Sequence, residues 1–464
     1  FVVSDRVKAR EFAQEFEQYE DEVSLLVERD DMLMYRKLAV GVDITSRLRA
    51  LYDFITGKSR IMVATSEALM QYFPTLENIK KSLLQLEVDG EIAPQKVLKR
   101  LVEMGYIRVD SVMEKGDFSM VGDILSVFPD NIEYPVRISF FDEQIDLESM
   151  KSTNNLDSLE IFSRIDSTFS NIDLQQVLSK AKKSVKSYLD ASKTRAKEII
   201  GELEGKIEVN NLKNLNWLLP FCTNLKGIEE ILPQNTIVVF DDPKNIFDHA
   251  KLYYNDFITR GKNLMEQGET TAEHLKAMRK TDIFGELANK FYTLGFANIT
   301  SSNPIFEPRE IFKLTNPPIR SYYANYNSLS TDLKAFNING FRVVLCAGDE
   351  HTARSFVSSL KDSNVFTRYM TTIPQNFTGI IVTPFGIKRG FNYSASKFVL
   401  IGLNELLRKK EVNLAKKRHK TNVFTMPKVG DYVVHEVHGI GLCSGVEQIE
   451  AFGVKQDFVV INYA

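Results

Sequence analysis

The amino-acid sequence predicts a multidomain protein that combines α/β and α+β domains with a small β barrel at its C-terminal end. Strand-like and helix-like segments alternate over the first 65 residues, which is typical of a parallel sheet with crossover helices. Between residues 105 and 141, short apolar runs separated by Gly and Pro predict antiparallel strands. Residues 430–464 alternate apolar and polar side chains as an all-β segment does.

The composition is that of a globular protein of 464 residues, long enough for about three domains. Hydrophobic residues make up 44% and charged residues 26%, which excludes a wholly disordered or fibrous chain. The net charge of −3 means that any nucleic-acid-binding surface has to be local. Cys222, Cys346 and Cys443 form no CxxC pair, so we expect neither a disulfide framework nor a cysteine zinc site, and a cytoplasmic location fits.

No run of residues reaches the ~18 apolar positions that a membrane span needs, so no membrane partner is expected. The sequence opens with FVVSDRV, without an initiator Met or a secretory signal. We therefore expect this chain to be a piece of a longer protein.

The first domain is predicted to alternate three strands with two helices. The strands are expected at residues 1–3, 23–27 and 60–65. Ser4 is the expected N-cap of the first helix, in which Phe12, Phe16 and Tyr19 share one face. Gly57 is expected to end the second helix, whose apolar positions are Ile44, Leu48, Leu51, Tyr52 and Ile55. A parallel sheet that starts at residue 1 is expected to lack its first strand.

Beyond Leu83 the pattern changes to a helix at 94–104 and a group of short strands. These strands are expected at residues 108–113, 118–121, 123–128 and 136–141. Residues 165–206 are polar and helical, and a second β/α stretch includes a strand at 236–240. A further α/β unit starts at Gly340, with strands expected at 342–346, 380–383 and 397–401. The basic segment 408–420 follows, either as a solvated linker or as a segment that contacts phosphates.

The segment TGKS at residues 56–59 looks like part of a phosphate-binding loop. Such a loop needs a glycine five positions before Gly57, and Tyr52 stands there. Lys58 also follows the end of a helix, whereas the motif requires a lysine at the start of one. The segment is therefore predicted to be a helix C-cap and turn.

Two other motifs have structural explanations as well. VVFDD at residues 238–242 is predicted to end a strand before Pro243, because no phosphate-binding lysine accompanies it. His435 and His438 lie three apart in a β segment and so would face opposite sides, which disfavours joint metal ligation. We predict no catalytic residue, no metal site and no cofactor in this chain.

Five motifs occur in an order that identifies a family. They are DITSRLRALY (43–52), RIMVATSEALMQ (60–71), GYIRVDSVMEKGDF (105–118), GDILSVFP (122–129) and PVRISFFDEQID (135–146). Together they resemble the N-terminal half of the bacterial transcription-repair coupling factors. The tail VGDYVVHEVHGIG…DFVVINYA resembles the start of that family's RNA-polymerase-interacting domain, an SH3-like barrel also found in CarD-like regulators. The excision-repair protein UvrB shares the first modules but not the barrel.

The resemblance implies six parts. They are a UvrB-like domain 1a at 1–82 that lacks its first strand, a UvrA-binding module at 83–164, a UvrB-like domain 1b at 165–335, an α/β third domain at 336–407, a basic linker at 408–426 and a partial RNA-polymerase-interacting barrel at 427–464. The UvrB-like domain is a degenerate, helicase-type parallel sheet that has lost its ATP site in this family. ATP and Mg are expected only in motor domains that this sequence lacks.

In the UvrA-binding module, the resemblance implies a binding surface of Arg108, Phe128 and Arg137. For Phe128 the alternative is core packing. Val121 stands where the family usually has an arginine before a glycine, so either affinity for UvrA is lower or the surface is rebuilt. The rebuilt surface would be centred on Glu114, Lys115 and Asp117.

In the barrel, Val459 and Ile461 lie on one face of the strand predicted at 457–463. The resemblance implies that this region binds the β subunit of RNA polymerase by extending a sheet. Val459 and Ile461 are the expected apolar contacts, and barrel core is the alternative for both.

The implied function is that of a non-catalytic adaptor, which binds stalled RNA polymerase and recruits UvrA for nucleotide excision repair. The full-length protein would be an ATP-dependent DNA translocase that contacts DNA mainly through its motors. The family is thought to mask its UvrA-binding surface with the C-terminal portion, so this chain is expected to bind UvrA constitutively. The alternative, a UvrB-like damage-loading helicase, requires an intact phosphate-binding loop and a long aromatic hairpin. A CarD-type regulator would explain only the barrel.

Overall fold

The computed structural model describes residues 1–20, 22–29, 32–35, 44–141, 144–149, 156–169, 173–185, 190–208, 215–298, 302–314, 316–323, 325–407, 432–435, 439–451 and 454–463. The chain divides into two compact units, residues 1–409 and 410–464. The basic segment predicted at 408–420 lies outside the described residues. No helix in the described ranges combines the length and apolarity needed to cross a bilayer.

The elements of residues 1–82 are β1 (Val2–Val3), α1 (Arg6–Phe16), β2 (Val23–Leu26), α2 (Ile44–Ile55), β3 (Ile61–Thr65), α3 (Ser66–Leu69), β4 (Phe73–Pro74) and α4 (Leu76–Ser82). Those of residues 84–161 are β5 (Leu84–Glu87), α5 (Pro94–Glu103), β6 (Ile107–Arg108), β7 (Asp117–Val121), β8 (Ile124–Val127), β9 (Val136–Phe141), β10 (Gln144–Ser149) and β11 (Ser158–Ile161).

Residues 174–296 form α6 (Leu174–Val185), α7 (Asp190–Glu208), β12 (Leu225–Lys226), α8 (Ile228–Ile231), β13 (Ile237–Asp241), α9 (Pro243–Glu266), α10 (Ala272–Leu275), α11 (Asp282–Lys290) and β14 (Tyr292–Phe296). The remaining elements are α12 (Tyr326–Ile338), β15 (Arg342–Cys346), α13 (Glu350–Asp362), β16 (Thr367–Tyr369), β17 (Ile380–Thr383), β18 (Phe391–Tyr393), β19 (Phe398–Ile401), α14 (Leu403–Leu406), β20 (Tyr432–His435), β21 (Gly439–Ala451) and β22 (Val454–Tyr463).

A parallel sheet in the order β14–β13–β1–β3–β2 forms the core of the first domain. Val2 pairs with Phe240 on one side and with Ala64 on the other, so residues distant in sequence complete the sheet. One face is covered by α2 and α9, and the other packs Val3 and Val63 against α1. The predicted parallel sheet is confirmed.

Two predictions for the first helix are wrong. Asp5, and not Ser4, is the N-cap of α1, because its carboxylate accepts hydrogen bonds from the backbone N–H groups of Val7 and Lys8, both at 3.0 Å. Ser4 instead donates its hydroxyl to Asp5. Tyr19 does not share the buried face, since α1 ends at Phe16 and the Tyr19 side chain is 64% exposed in the following turn.

We call residues 84–167 the acidic module, because they include 17 Asp and Glu against eight Lys and Arg, a formal charge of −9. Its main sheet has the order β10–β9–β8–β7–β6, and α5 covers one face with Val97 and Leu101. The strand predicted at 108–113 is wrong beyond Arg108. The Asp117 carboxylate accepts hydrogen bonds from the backbone N–H groups of Met113 and Glu114, which turns this segment away from the sheet.

Helices α6 and α7 contribute to a separate hydrophobic core that includes Trp217. The Trp217 ring contacts the buried His274, with ring centroids 4.6 Å apart. Arg29 and Asp166 form a buried ion pair, with side chains only 6% and 1% exposed. Arg29 follows β2, and Asp166 follows β11 near the end of the acidic module, so this pair joins distant parts of the chain.

The third α/β unit is a sheet in the order β16–β17–β15–β19–β18. The Asp349 carboxylate caps α13, because it accepts a 2.8 Å hydrogen bond from the backbone N–H of Thr352. Leu329 and Leu333 of α12 pack in the same core as Phe356 of α13. The domain bounds proposed from the resemblance stay predictions.

Candidate partner-binding surfaces

The sheet of the acidic module has a core face and an outer face, which its register defines. Leu125 and Val127 of β8 and Ile138 of β9 are buried on the core face. Alternation therefore places Ile124 and Ser126 of β8 on the outer face. The outer face consists of rows of paired residues: Val121–Ile124–Ser139–Asp146 is one row and Ser119–Ser126–Arg137–Glu148 is the next.

Arg137 and Phe128 both belong to this outer face. Arg137 is exposed, lies opposite Ser126 and Glu148, and has no ion pair or hydrogen bond from its side chain to any described residue. Phe128 follows β8 and continues its pairing through a 3.0 Å hydrogen bond from its N–H to the Asp117 carbonyl. Its ring is half-buried, with the Lys115 ammonium 5.8 Å from the ring centroid. The structure thus brings two of the three predicted UvrA-binding residues onto one face.

Arg108 is placed differently. It lies on the edge strand β6, in parallel register with Phe118, whose side chain is fully buried on the core face. Residues in register share a side of the sheet, so Arg108 belongs to the side opposite Arg137. The Arg108 side chain is nevertheless exposed, because no described strand extends the sheet beyond β6.

Val121 and Ile124 are outer-face residues that we did not include in the predicted site. They face each other across the two-residue turn Gly122–Asp123, and their side chains are 73% and 44% exposed. Gly122 has φ of 60°, which suits the first position of a tight hairpin turn. The sequence signal was available: an apolar residue flanks each side of a Gly-Asp turn, where a hairpin tip is normally polar.

The TGKS segment is confirmed as a helix C-cap and turn. Gly57 has φ of 79°, and its N–H donates to the Phe54 carbonyl at the end of α2. The Ser59 hydroxyl donates to the Ile61 carbonyl at 2.7 Å. Lys58 donates to Glu160 on β11.

VVFDD is likewise confirmed as a strand end and turn. Asp242 has φ of 61°, and its carboxylate accepts a hydrogen bond from the backbone N–H of Asn245 at the start of α9. Asp241, the last residue of β13, has its carboxylate 3.2 Å from the Lys8 ammonium. Of the predicted histidine pair, His438 lies outside the described residues.

The C-terminal unit is an antiparallel meander in the order β20–β21–β22. Val459 pairs with Val446 and Ile461 pairs with Cys443, and a register shift between Cys443 and Gly445 bulges β21. Within the described strands, β22 is paired along one edge only. The side-chain surroundings of Val459 and Ile461 lie outside what the structure describes.

Two family models match the chain at these surfaces. The UvrB interaction domain matches residues 84–167, which is the acidic module, and the CarD-like/TRCF RID domain matches residues 428–464. The Transcription-repair-coupling factor of Bacillus subtilis (strain 168) is 25% identical over 96% of this chain. The proteins of that name from Staphylococcus haemolyticus and Staphylococcus aureus (strain USA300) are 24% and 22% identical over 90% of it.

This chain is related to the transcription-repair-coupling factors. Similarity runs through the acidic module, the parallel-sheet domains and the C-terminal meander, and it confirms the resemblance drawn from the motifs to the N-terminal part of that family. The chain spans 40% of the length of the Bacillus subtilis relative and 37% of the two staphylococcal relatives.

Proposed function

We propose that this chain is the adaptor portion of a transcription-repair coupling factor, which binds RNA polymerase and recruits UvrA for nucleotide excision repair. One observation carries the proposal: a UvrB interaction domain and a CarD-like/TRCF RID domain occur in one chain. Neither domain alone indicates coupling of transcription to repair, because each could occur in a protein that lacks the other. Together they favour a protein that links a polymerase to a repair complex.

The polymerase contact is assigned to the C-terminal meander, and its target to the β subunit. Among the described strands, β22 is paired along one edge only, which supports this assignment because an unpaired strand edge can accept a strand of a partner. Val459 and Ile461 share one face of β22, since they lie two residues apart. We assign them the apolar contacts with polymerase.

The UvrA contact is assigned to the outer face of the acidic module. Arg137 supports this assignment, since it is exposed and its side chain pairs with no residue that the structure describes, which leaves it available to pair with a carboxylate of another protein. Phe128, beside it on the same face, would add apolar contact. Arg108 would contribute from the sheet edge.

The chain itself is proposed to be non-catalytic, and to act in the cytoplasm. Translocation driven by ATP and Mg, and most contact with DNA, are assigned to parts of the coupling factor beyond the length that this chain spans. Lys58 is the one lysine that resembled a nucleotide ligand. Its ion pair with Glu160 supports this view, because it gives this lysine a structural partner.

Two binding measurements with charge-matched variants test the proposal. UvrA and core RNA polymerase are each titrated against the immobilised chain. Arg137→Glu should weaken UvrA binding at least tenfold, whereas Lys99→Glu, at a 79% exposed position on α5, should leave it unchanged.

Ile461→Asp should weaken only polymerase binding. Asn462→Asp, which adds the same charge on the exposed opposite face of β22, is its control. Absence of binding to either partner by the unaltered chain contradicts the proposal.

A further inference from the structure

The hairpin tip of the acidic module exposes apolar surface where solvent normally favours polar side chains. Val121 and Ile124 form the last pair of the β7–β8 hairpin, with side chains 73% and 44% exposed. Both lie on the outer face, in the row next to Arg137. An exposed pair of this kind marks an interaction site more often than an exposed single residue does.

Carboxylates border this apolar pair. Asp123 is exposed in the turn itself, and Asp146 ends the row that runs from Ile124 through Ser139. The module as a whole carries a formal charge of −9 over residues 84–167. The tip is therefore an apolar contact within a negative field, and a partner with an acidic surface would be repelled.

We infer that Val121 and Ile124 are the central apolar contact with UvrA, and that they fit an apolar depression bordered by lysine or arginine where it faces Asp123 and Asp146. Arg137, one row away, would meet a carboxylate beside that depression. The inference rests on the proposed function. Desolvated apolar contacts at the centre of an interface contribute most of the affinity, and complementary charges around them set the association rate and the specificity.

Alanine and arginine substitutions test the apolar contact in the complete chain. Val121→Ala and Ile124→Ala should each weaken UvrA binding, and the double variant should weaken it about tenfold or more. Val121→Arg should weaken it further, because it brings a positive charge to the basic border. Val102→Ala is the control, since Val102 is 58% exposed but lies on α5, which covers the other face of the sheet. All variants should keep the thermal unfolding midpoint of the unaltered chain.

A charge reversal tests the basic border. Asp123→Lys should slow association with UvrA and reduce its dependence on salt concentration. Glu87→Lys makes the same change at an exposed position on β5 and should have a smaller effect. If both reversals act equally, the overall charge of the module and not the tip would govern binding, and the inference is wrong.

The outcomes separate this inference from the proposed function. UvrA binding that survives in the Val121→Ala/Ile124→Ala variant, or that becomes tighter in Val121→Arg, overturns the inference and leaves the proposed function in place. If the unaltered chain does not bind UvrA at all, both fail.

Discussion

The ammonium of Lys58 lies 2.5 Å from the Glu160 carboxylate, and this ion pair joins the turn after α2 to strand β11 of the acidic module. The Lys58 ammonium also lies 5.3 Å from the centre of the Tyr52 ring. Partial burial acts to raise the pKa of Glu160, but hydrogen bonds from Lys58 and Gln85 outweigh it and hold the pKa below its usual value. The lysine of the TGKS segment therefore has a structural partner.

Replacing Lys58 should change stability slightly and nucleotide binding not at all. Because the Lys58 side chain is 46% exposed, Lys58→Ala should lower the free energy of unfolding by about 0–1 kcal/mol. Denaturant unfolding measures this. Titration with a fluorescent ATP analogue and Mg should give the same result for the variant and the unaltered chain. A nucleotide signal that Lys58→Ala removes would contradict the assignment of this turn.

The Arg29–Asp166 pair should be far more important for stability. Asp166→Asn leaves the buried guanidinium of Arg29 without its counter-charge, which typically costs about 3–5 kcal/mol of folding free energy. Glu230→Gln breaks the half-exposed pair with Lys226 and should cost less than about 1 kcal/mol. Unfolding in urea at neutral pH compares the two variants. Equal losses would show that the buried pair is not specially important.

Glu67 should make the protein less stable as the pH rises. Burial raises the pKa of this carboxyl from 4.5 to about 7, with a smaller contribution from the nearby charge of Glu28. The folded state therefore holds the proton more tightly than the unfolded state, and stability is lost as pH rises from 4.5 through 7.

Glu67→Gln mimics the protonated carboxyl, so it should make the protein about 2–3 kcal/mol more stable than the unaltered chain at pH 8, with little difference at pH 4.5. Glu11→Gln, at an exposed position on α1, is the control. Urea unfolding across this pH range measures the difference. An equal effect of Glu67→Gln at both pH values would contradict the prediction.

His274 should have the opposite pH dependence. Its ring is buried against Trp217, and burial lowers its pKa from 6.5 to about 3. The unfolded state therefore binds an extra proton between pH 6.5 and 3, and stability is lost as pH falls through this range.

His274→Asn keeps an acceptor near the Thr271 N–H, which donates to His274 Nδ1 at 3.2 Å. The change in unfolding free energy between pH 7 and pH 5 should shrink by about 2 kcal/mol in this variant. His351→Asn, at an exposed position on α13, should leave that change as it is. An undiminished pH dependence in His274→Asn would show that other groups cause it.

Much of the fold follows from local patterns in the sequence. The period of α2, the left-handed glycine at position 57 and the apolar strands of the parallel sheet were all predictable, because each depends on neighbouring residues. Errors arose where side chains compete for backbone groups. Asp5 outcompetes Ser4 as the cap, and Asp117 takes the N–H groups of Met113 and Glu114 that a longer strand would have used.

The candidate site was predictable only in part, for a different reason. The resemblance supplied Arg108, Phe128 and Arg137, but a list of residues does not tell which side of a sheet each one occupies. The strand register does tell this, and it places Arg108 and Arg137 on opposite sides of the sheet. The sequence shows that Val121 and Ile124 flank a Gly-Asp turn, but their common place on the outer face follows only from the two-residue turn and the buried alternate positions.

The central claim is that one chain holds polymerase and UvrA together, and a bridging measurement tests it most directly. Core RNA polymerase is immobilised, the chain is added, and retention of UvrA is measured by surface plasmon resonance. UvrA should be retained only when the chain is present. Ile461→Asp should abolish retention of both the chain and UvrA. The Val121→Arg variant should still be retained by polymerase but should not retain UvrA. If UvrA instead displaces the chain from polymerase, or is not retained by the unaltered chain, the account is contradicted.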